Sequence, residues 1–268
     1  MIIHETKAKN IIVKSNLPDT DYVINPYTGC NHNCIYCYAR FMKRFTGHKE
    51  KWGKFIDIKI NAPDLIPDKT NKYQNKKILL SSVTDPYLPL ERKYKITRDI
   101  LKNLIKLNPK LNIQTKSDLV LRDIDILKEF SEPEIGFTII ILKEKFKKEL
   151  EQNTVSIKNR IKALKKLKEH RFKTYIFVGP ICPYITNWKE IIEETQDYTD
   201  FYMFENLNIR GSIYSDINKW LKRYHPELID KYDYIFKDKN SKYWEQEKNE
   251  IQKYCQDNNL KFNIYFDH

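Results

Sequence analysis

Cys30-Asn31-His32-Asn33-Cys34-Ile35-Tyr36-Cys37 places three thiols within eight residues, in the spacing CxxxCxxC. In a reducing compartment such a cluster binds metal more often than it forms disulfides. Three thiolates can hold three irons of a cubane cluster, and the next cysteine, Cys182, stands far along the chain. The fourth iron is then open to a small chelating ligand. On spacing alone a second reading stays open, a zinc knuckle with His32 or Cys182 as fourth ligand. Zinc sites usually pair two CxxC units, and no second unit follows here.

Working outward, the loop follows a β-type run at residues 22–25, and short apolar runs then alternate with helical patterns. Strands are expected at 78–83, 111–115, 136–141, 174–178 and 201–204. Ile96, Ile100, Leu104 and Leu107 mark one helical face at spacings of three and four. Further helices are expected at 123–130, after Ser156 as an N-cap, and at 188–195. Six β/α units in this order predict a partial (β/α)6 barrel of the TIM-like kind, with chemistry at the strands' C-terminal ends. After Glu205 the rhythm changes: residues 213–224 and 243–255 read as helices, and 261–266 as a terminal strand that pairs with an edge. The expected organisation is a core of residues 1–206 and a helical C-terminal extension, 207–268, packed on the same domain.

The chain has 268 residues, 41% of them hydrophobic, enough for one sizeable core. No apolar run is long enough to span a membrane, and residues 1–10 lack a signal peptide's apolar stretch, so a cytoplasmic protein is expected. Forty-eight Lys and Arg against 36 Asp and Glu leave a net charge of +12, which admits a nucleic-acid partner without requiring one.

The cysteine loop resembles the hallmark of the radical S-adenosylmethionine (SAM) superfamily, CxxxCxΦC, in which the aromatic Φ is here Tyr36. Asn25-Pro26-Tyr27-Thr28-Gly29 before it and Tyr38-Ala39-Arg40 after it resemble the spore photoproduct lyase-like branch. So do Thr84-Asp85-Pro86-Tyr87 with Glu91, Thr97-Arg98, Thr115-Lys116-Ser117, Leu121-Arg122-Asp123, Arg160 and Gly179-Pro180-Ile181. The similarity runs from about residue 12 to 208.

The resemblance implies a radical SAM barrel with a [4Fe–4S] cluster on Cys30, Cys34 and Cys37. It implies reductive cleavage of SAM to a 5′-deoxyadenosyl radical, and a ferredoxin or flavodoxin as electron donor. Tyr36 is then expected beside the adenine, Thr84 and Asp85 at the SAM amino group, and Lys116 at its carboxylate. Thr138 is expected near the ribose, and Val178 and Gly179 along the adenine. Tyr38 matches a tyrosine of the hydrogen relay. Where the lyase carries a hydrogen-donating cysteine this chain has Ser82, whose O–H bond is too strong for that role. Cys182 reads either as a small buried hydrophobe or as a substitute that reaches the cavity from another side, and Glu205, Asn206, Asn208 and Arg210 are further polar candidates. The expected substrate is a nucleic-acid base or lesion; the alternatives are a peptide or small metabolite, or a non-catalytic, metal-bearing nucleic-acid-binding protein.

Overall fold

A computed structural model describes residues 1–68 and 70–266. Strands β1 (Ile2–Thr6), β2 (Ile12–Lys14), β3 (Tyr22–Ile24), β4 (Tyr27–Thr28) and β5 (Phe55–Lys59) surround the cysteine loop in sequence. Then come β6 (Lys77–Leu80), β7 (Lys110–Thr115), β8 (Glu134–Thr138), β9 (Lys173–Ile181), β10 (Phe201–Asn206) and β11 (Phe262–Tyr265). The main sheet runs β11-β10-β9-β8-β7-β6-β3-β2, parallel throughout except that β2 lies antiparallel on β3. Its central strands are buried on both faces, as the near-continuous Ile, Leu and Phe content of β6 to β9 requires.

The six parallel β/α units expected from the sequence are present, and the terminal run pairs in parallel with β10, Tyr202 beside Phe262. The helix Ile157–Glu169 starts where Ser156 accepts a hydrogen bond from the Asn159 amide. It buries Ile157, Ala163, Leu164 and Leu167 on one face. Two strands are shorter than their apolar runs suggest: β6 ends at Leu80 and β8 at Thr138. Residues 81–85 leave β6 because Asn25 captures them, its Oδ1 accepting from the Ser82 and Val83 amides at 2.9 and 3.1 Å. A helix was expected over 123–130; only Ile124–Leu127 is α-helical, after a 3-10 turn over Asp118–Asp123.

A second sheet, β1-β5-β4, is not signalled by the alternation of β and α runs. It lies against the cysteine loop. Gly29, at φ +90°, brings the chain so near β5 that a Cβ would stand 2.4 Å from the Phe55 carbonyl oxygen. Residues 207–268 add the helices Ser212–Tyr224, Ile229–Lys237 and Tyr243–Asp257. The apolar faces of the first two, with Ile213, Ile217, Trp220, Leu221 and Tyr232, join one buried cluster with Cys34, Tyr36 and Ile140, while Ile251 and Cys255 of the third join the main core. No helix among the described residues is long and apolar enough to cross a membrane.

Candidate active site

A cavity of about 380 Å³ opens at the C-terminal ends of the strands, within the ~300–1,000 Å³ range of ligand sites. Cys30, Cys34 and Cys37 all line it, unpaired by disulfides. Tyr36, Tyr38, Thr84, Asp85, Lys116, Thr138 and Gly179 line it too, so seven further sequence candidates share one space. Two do not reach it. Val178 is fully buried in the main core, because side chains alternate along β9 and its neighbours Phe177 and Gly179 take the cavity face. Cys182 is fully buried beyond the strand end, in the apolar layer with Leu207 and Tyr232. Burial pushes its thiol up to about 12, and it does not line the cavity; of its two readings the structure matches the buried hydrophobe. Glu205, Asn206 and Asn208 also line the cavity; Arg210 does not.

The cysteine loop is held by a docked segment that sequence reasoning passed over. Cys34 forms a β-bridge with Glu151, and the Ile35 amide donates to the Leu150 carbonyl at 3.0 Å. Asn153 donates from its amide to the His32 carbonyl at 3.2 Å and from its side chain to the Asn31 carbonyl at 2.8 Å. Glu151 is fully buried and accepts from the Tyr36 hydroxyl and, at 2.5 Å, from Arg160. Arg160 is buried as well; its Nη1 donates to the Thr138 carbonyl at 2.9 Å. One ion pair therefore fixes Tyr36 and Thr138 together. Lys116 places its ammonium 5.8 Å from the Tyr36 ring centre. Burial opposes its charge, but Coulomb attraction to Cys34 and Glu151 outweighs this and holds it above its ordinary pKa.

Thr84 and Asp85 spend their side chains on the walls. The Thr84 hydroxyl donates to the Gly29 carbonyl at 2.7 Å. Asp85 Oδ1 accepts from the Tyr87 amide and the Thr115 hydroxyl, and Oδ2 from the Lys116 amide, all within 2.8 Å. Below them the remaining motif residues form a buried polar network. Glu91 accepts from Tyr27, from the Thr97 amide at 2.8 Å and from Arg122 at 3.0 Å. Asp123 joins Arg122 to Arg98, at 2.8 Å each. These residues shape the loops and do not touch the cavity.

Burial pushes the thiol of Cys30 well above its usual range and that of Cys34 up to about 12. A bound cation takes the place of those protons, and the ligands deprotonate on binding. Ser81, buried on the cavity wall, and Asn206 Oδ1 each lack a hydrogen-bond partner among the described residues. Both are polar atoms that a ligand filling the cavity can satisfy. The donor set therefore fits a thiolate-ligated cluster with a polar small molecule beside it.

His32 is buried on the same wall, 3.6 Å from Asp85, and burial pushes it down to about 4. Between the ordinary histidine value near 6.5 and that value the unfolded chain binds the proton and the folded one does not. Stability of the cluster-free protein is therefore expected to fall as pH drops through this window, by up to ~3 kcal/mol. Glu151 acts in a lower window. Desolvation raises its pKa, but Arg160 and Lys116 prevail and hold it down to about 2, so its contribution is lost as pH falls from about 4.3 toward 2. Thermal melts from pH 7.5 to 5 check the first window. His32→Asn flattens the slope there; an unchanged slope excludes His32 as its source.

The radical SAM superfamily model matches residues 24–197. An uncharacterised protein of Methanocaldococcus jannaschii is 44% identical over 225 residues, covering 84% of each chain. An uncharacterised protein of Acidianus two-tailed virus is 33% identical over 187 residues, covering 66% of this chain and 61% of its own length. Among solved structures, spore photoproduct lyase complexed with dinucleoside spore photoproduct aligns with a TM-score of 0.59 at 16% identity. That alignment takes in 83% of this chain and 66% of the lyase, so the chain spans just under two thirds of the lyase's length. Streptococcus suis SuiB bound to S-adenosylmethionine aligns at 0.50 with 16% identity, over 92% of this chain and half of SuiB. At such identities the two structures speak for the fold. The family model and the archaeal relative decide the rest: the chain belongs to the radical SAM superfamily.

Proposed function

We propose that the protein is a radical SAM enzyme that binds a [4Fe–4S] cluster on Cys30, Cys34 and Cys37 and abstracts hydrogen from a nucleic-acid base or lesion. The observation that carries this is the convergence of the three cysteines with Lys116, Thr138, Ser81 and Asn206 on one cavity at the strand ends. When bound, the cluster supplies the electron that cleaves SAM to a 5′-deoxyadenosyl radical, drawn from a ferredoxin or flavodoxin.

The chain's own residues do the positioning. Lys116 offers a charged ammonium to the SAM carboxylate, and the rings of Tyr36 and Phe177 line the same cavity. Thr84 and Asp85 hold the wall on the amino-group side, Thr138 stands on the ribose side and Gly179 along the adenine. Tyr38 lines the cavity and donates to the Ser82 carbonyl, which supports a part for it in a hydrogen relay.

A nucleic-acid substrate is favoured by the helix that follows Cys37. Phe41 and Phe45 are exposed, and the Arg44 guanidinium lies 5.5 and 4.7 Å from their ring centres. Exposed rings and arginine beside an active-site mouth suit base stacking, and the net charge of +12 suits phosphate. Ser82, in place of a hydrogen-donating cysteine, favours chemistry other than repair of the spore lesion. It also supports the second reading, a peptide or small metabolite.

The test is anaerobic. Protein reconstituted with iron and sulfide, then given dithionite and SAM, is expected to form 5′-deoxyadenosine, with Lys116→Ala raising the SAM KM about tenfold or more. Single-stranded DNA, duplex DNA and tRNA are then titrated at several salt concentrations. Salt-dependent binding that weakens in a Phe41→Ala, Phe45→Ala double variant supports the nucleic-acid reading. Absence of binding to all three shifts the substrate to the second class.

A further inference from the structure

We infer that β1, β5 and the segment between Cys37 and β5 form a zinc site separate from the cysteine cavity, with His4, His48 and Asp57 as ligands. His4 and Asp57 are register partners across the parallel β1–β5 pair, so their side chains emerge side by side on one face of the small sheet. His48 reaches over that face from the loop. Its Nε2 lies 2.9 Å from Asp57 Oδ1, and His4 Nδ1 lies 3.6 Å from the same oxygen. Ligand atoms from all three residues fall within 4.8 Å of one another. Tetrahedral zinc, with bonds near ~2.05 Å, needs ligand atoms about 3.3 Å apart, and the observed separations bracket that value.

The surroundings match a metal site more closely than a plain histidine–carboxylate contact. The other nitrogen of His48, Nδ1, faces Glu50 Oε2 at 3.3 Å. A carboxylate on the far nitrogen fixes the ring and leaves Nε2 to the metal. The His48 ring is packed flat between Phe55, at 3.9 Å, and His4, at 5.3 Å between ring centres. It cannot swing away without opening that stack. Asp57 and Glu50 together balance a dication, and Lys59, further along β5, turns its ammonium to the Asn25 carbonyl at 2.7 Å. Two imidazoles and one carboxylate suit zinc, with a water in the fourth position. The site ties the first strand to the chain leaving the cysteine loop, and bound zinc stabilises the fold by mass action.

The experiment uses cluster-loaded protein without an affinity tag, dialysed anaerobically against micromolar Zn²⁺, with zinc, iron and sulfide measured. The wild type is expected to hold one zinc per chain beyond its cluster, and its melting midpoint to rise by a few degrees. His4→Ala, at an exposed position, and His48→Ala are expected to lose the zinc and the shift, and Glu50→Gln to bind about 10–100-fold more weakly. A variant with all three cluster cysteines replaced by alanine is expected to keep the zinc. Wild type without zinc overturns the inference. So does zinc that survives the paired His4→Ala, His48→Ala change, or that vanishes with the cysteines.

Discussion

Alanine at Cys30, Cys34 or Cys37 is expected to abolish the broad visible absorption of the reconstituted protein and to lower 5′-deoxyadenosine formation by at least about 10³-fold. That loss is ~4 kcal/mol at 1.36 kcal/mol per tenfold. The reason is stoichiometric. Three protein thiolates leave one iron for SAM, and two cannot hold the cluster and still leave the chelating position in place. The three thiols line one cavity and form no disulfide, and Cys182, fully buried in the apolar layer with Tyr36, does not line it. Iron and sulfide analysis with an absorption spectrum checks the cluster, and chromatography checks the product. Unchanged spectra in all three variants sink the cluster assignment. By contrast Cys182→Ala leaves both readouts near wild type.

Removing the Glu151 carboxylate is expected to have the largest effect on stability. Glu151→Ala strips Arg160 of its partner inside the fold, where neither side chain reaches water. Breaking such a pair from one side costs about 3–5 kcal/mol, most of it the penalty of the orphaned charge. The damage does not stay local. Tyr36 loses its acceptor, Thr154 a partner, and the strand-like bridge to Cys34 its anchor. A fall in the denaturant midpoint, together with weaker cluster retention on gel filtration, is expected. Glu151→Gln keeps the shape and the acceptor but not the charge, and so falls between. If Glu151→Ala melts like the wild type, the segment from Leu150 to Thr154 is not what holds the cysteine loop.

The cysteine motif was legible because its chemistry is local. CxxxCxΦC is read within eight residues, and the loop's place after a strand follows from Tyr22, Val23 and Ile24 alone. The β/α alternation was legible for a related reason, since strands buried on both faces must be apolar throughout. The segment that steadies the loop was not. Glu151 lies between Leu150 and Gln152 with nothing in its neighbourhood to set it apart from a solvated charge. Its role exists only because the chain returns after β8 and lays it across Cys34. The small sheet β1-β5-β4 was not legible either, because β1 pairs with β5 across more than fifty residues and β4 with β5 across about thirty.

By itself, then, the sequence determined the parallel barrel, the cysteine set and most of the cavity wall, because periodicity, spacing and strand-end position are short-range properties. Only the tertiary structure decided which residue of each strand end faces inward. Gly179 looks into the cavity and Val178 away from it by the alternation of β9, and Cys182 is turned into the layer behind. It also decided which charges are buried. A Glu is held inside when partners from other parts of the chain meet it there, as Tyr27 and Arg122 meet Glu91, and that meeting is a property of packing rather than of any stretch of residues.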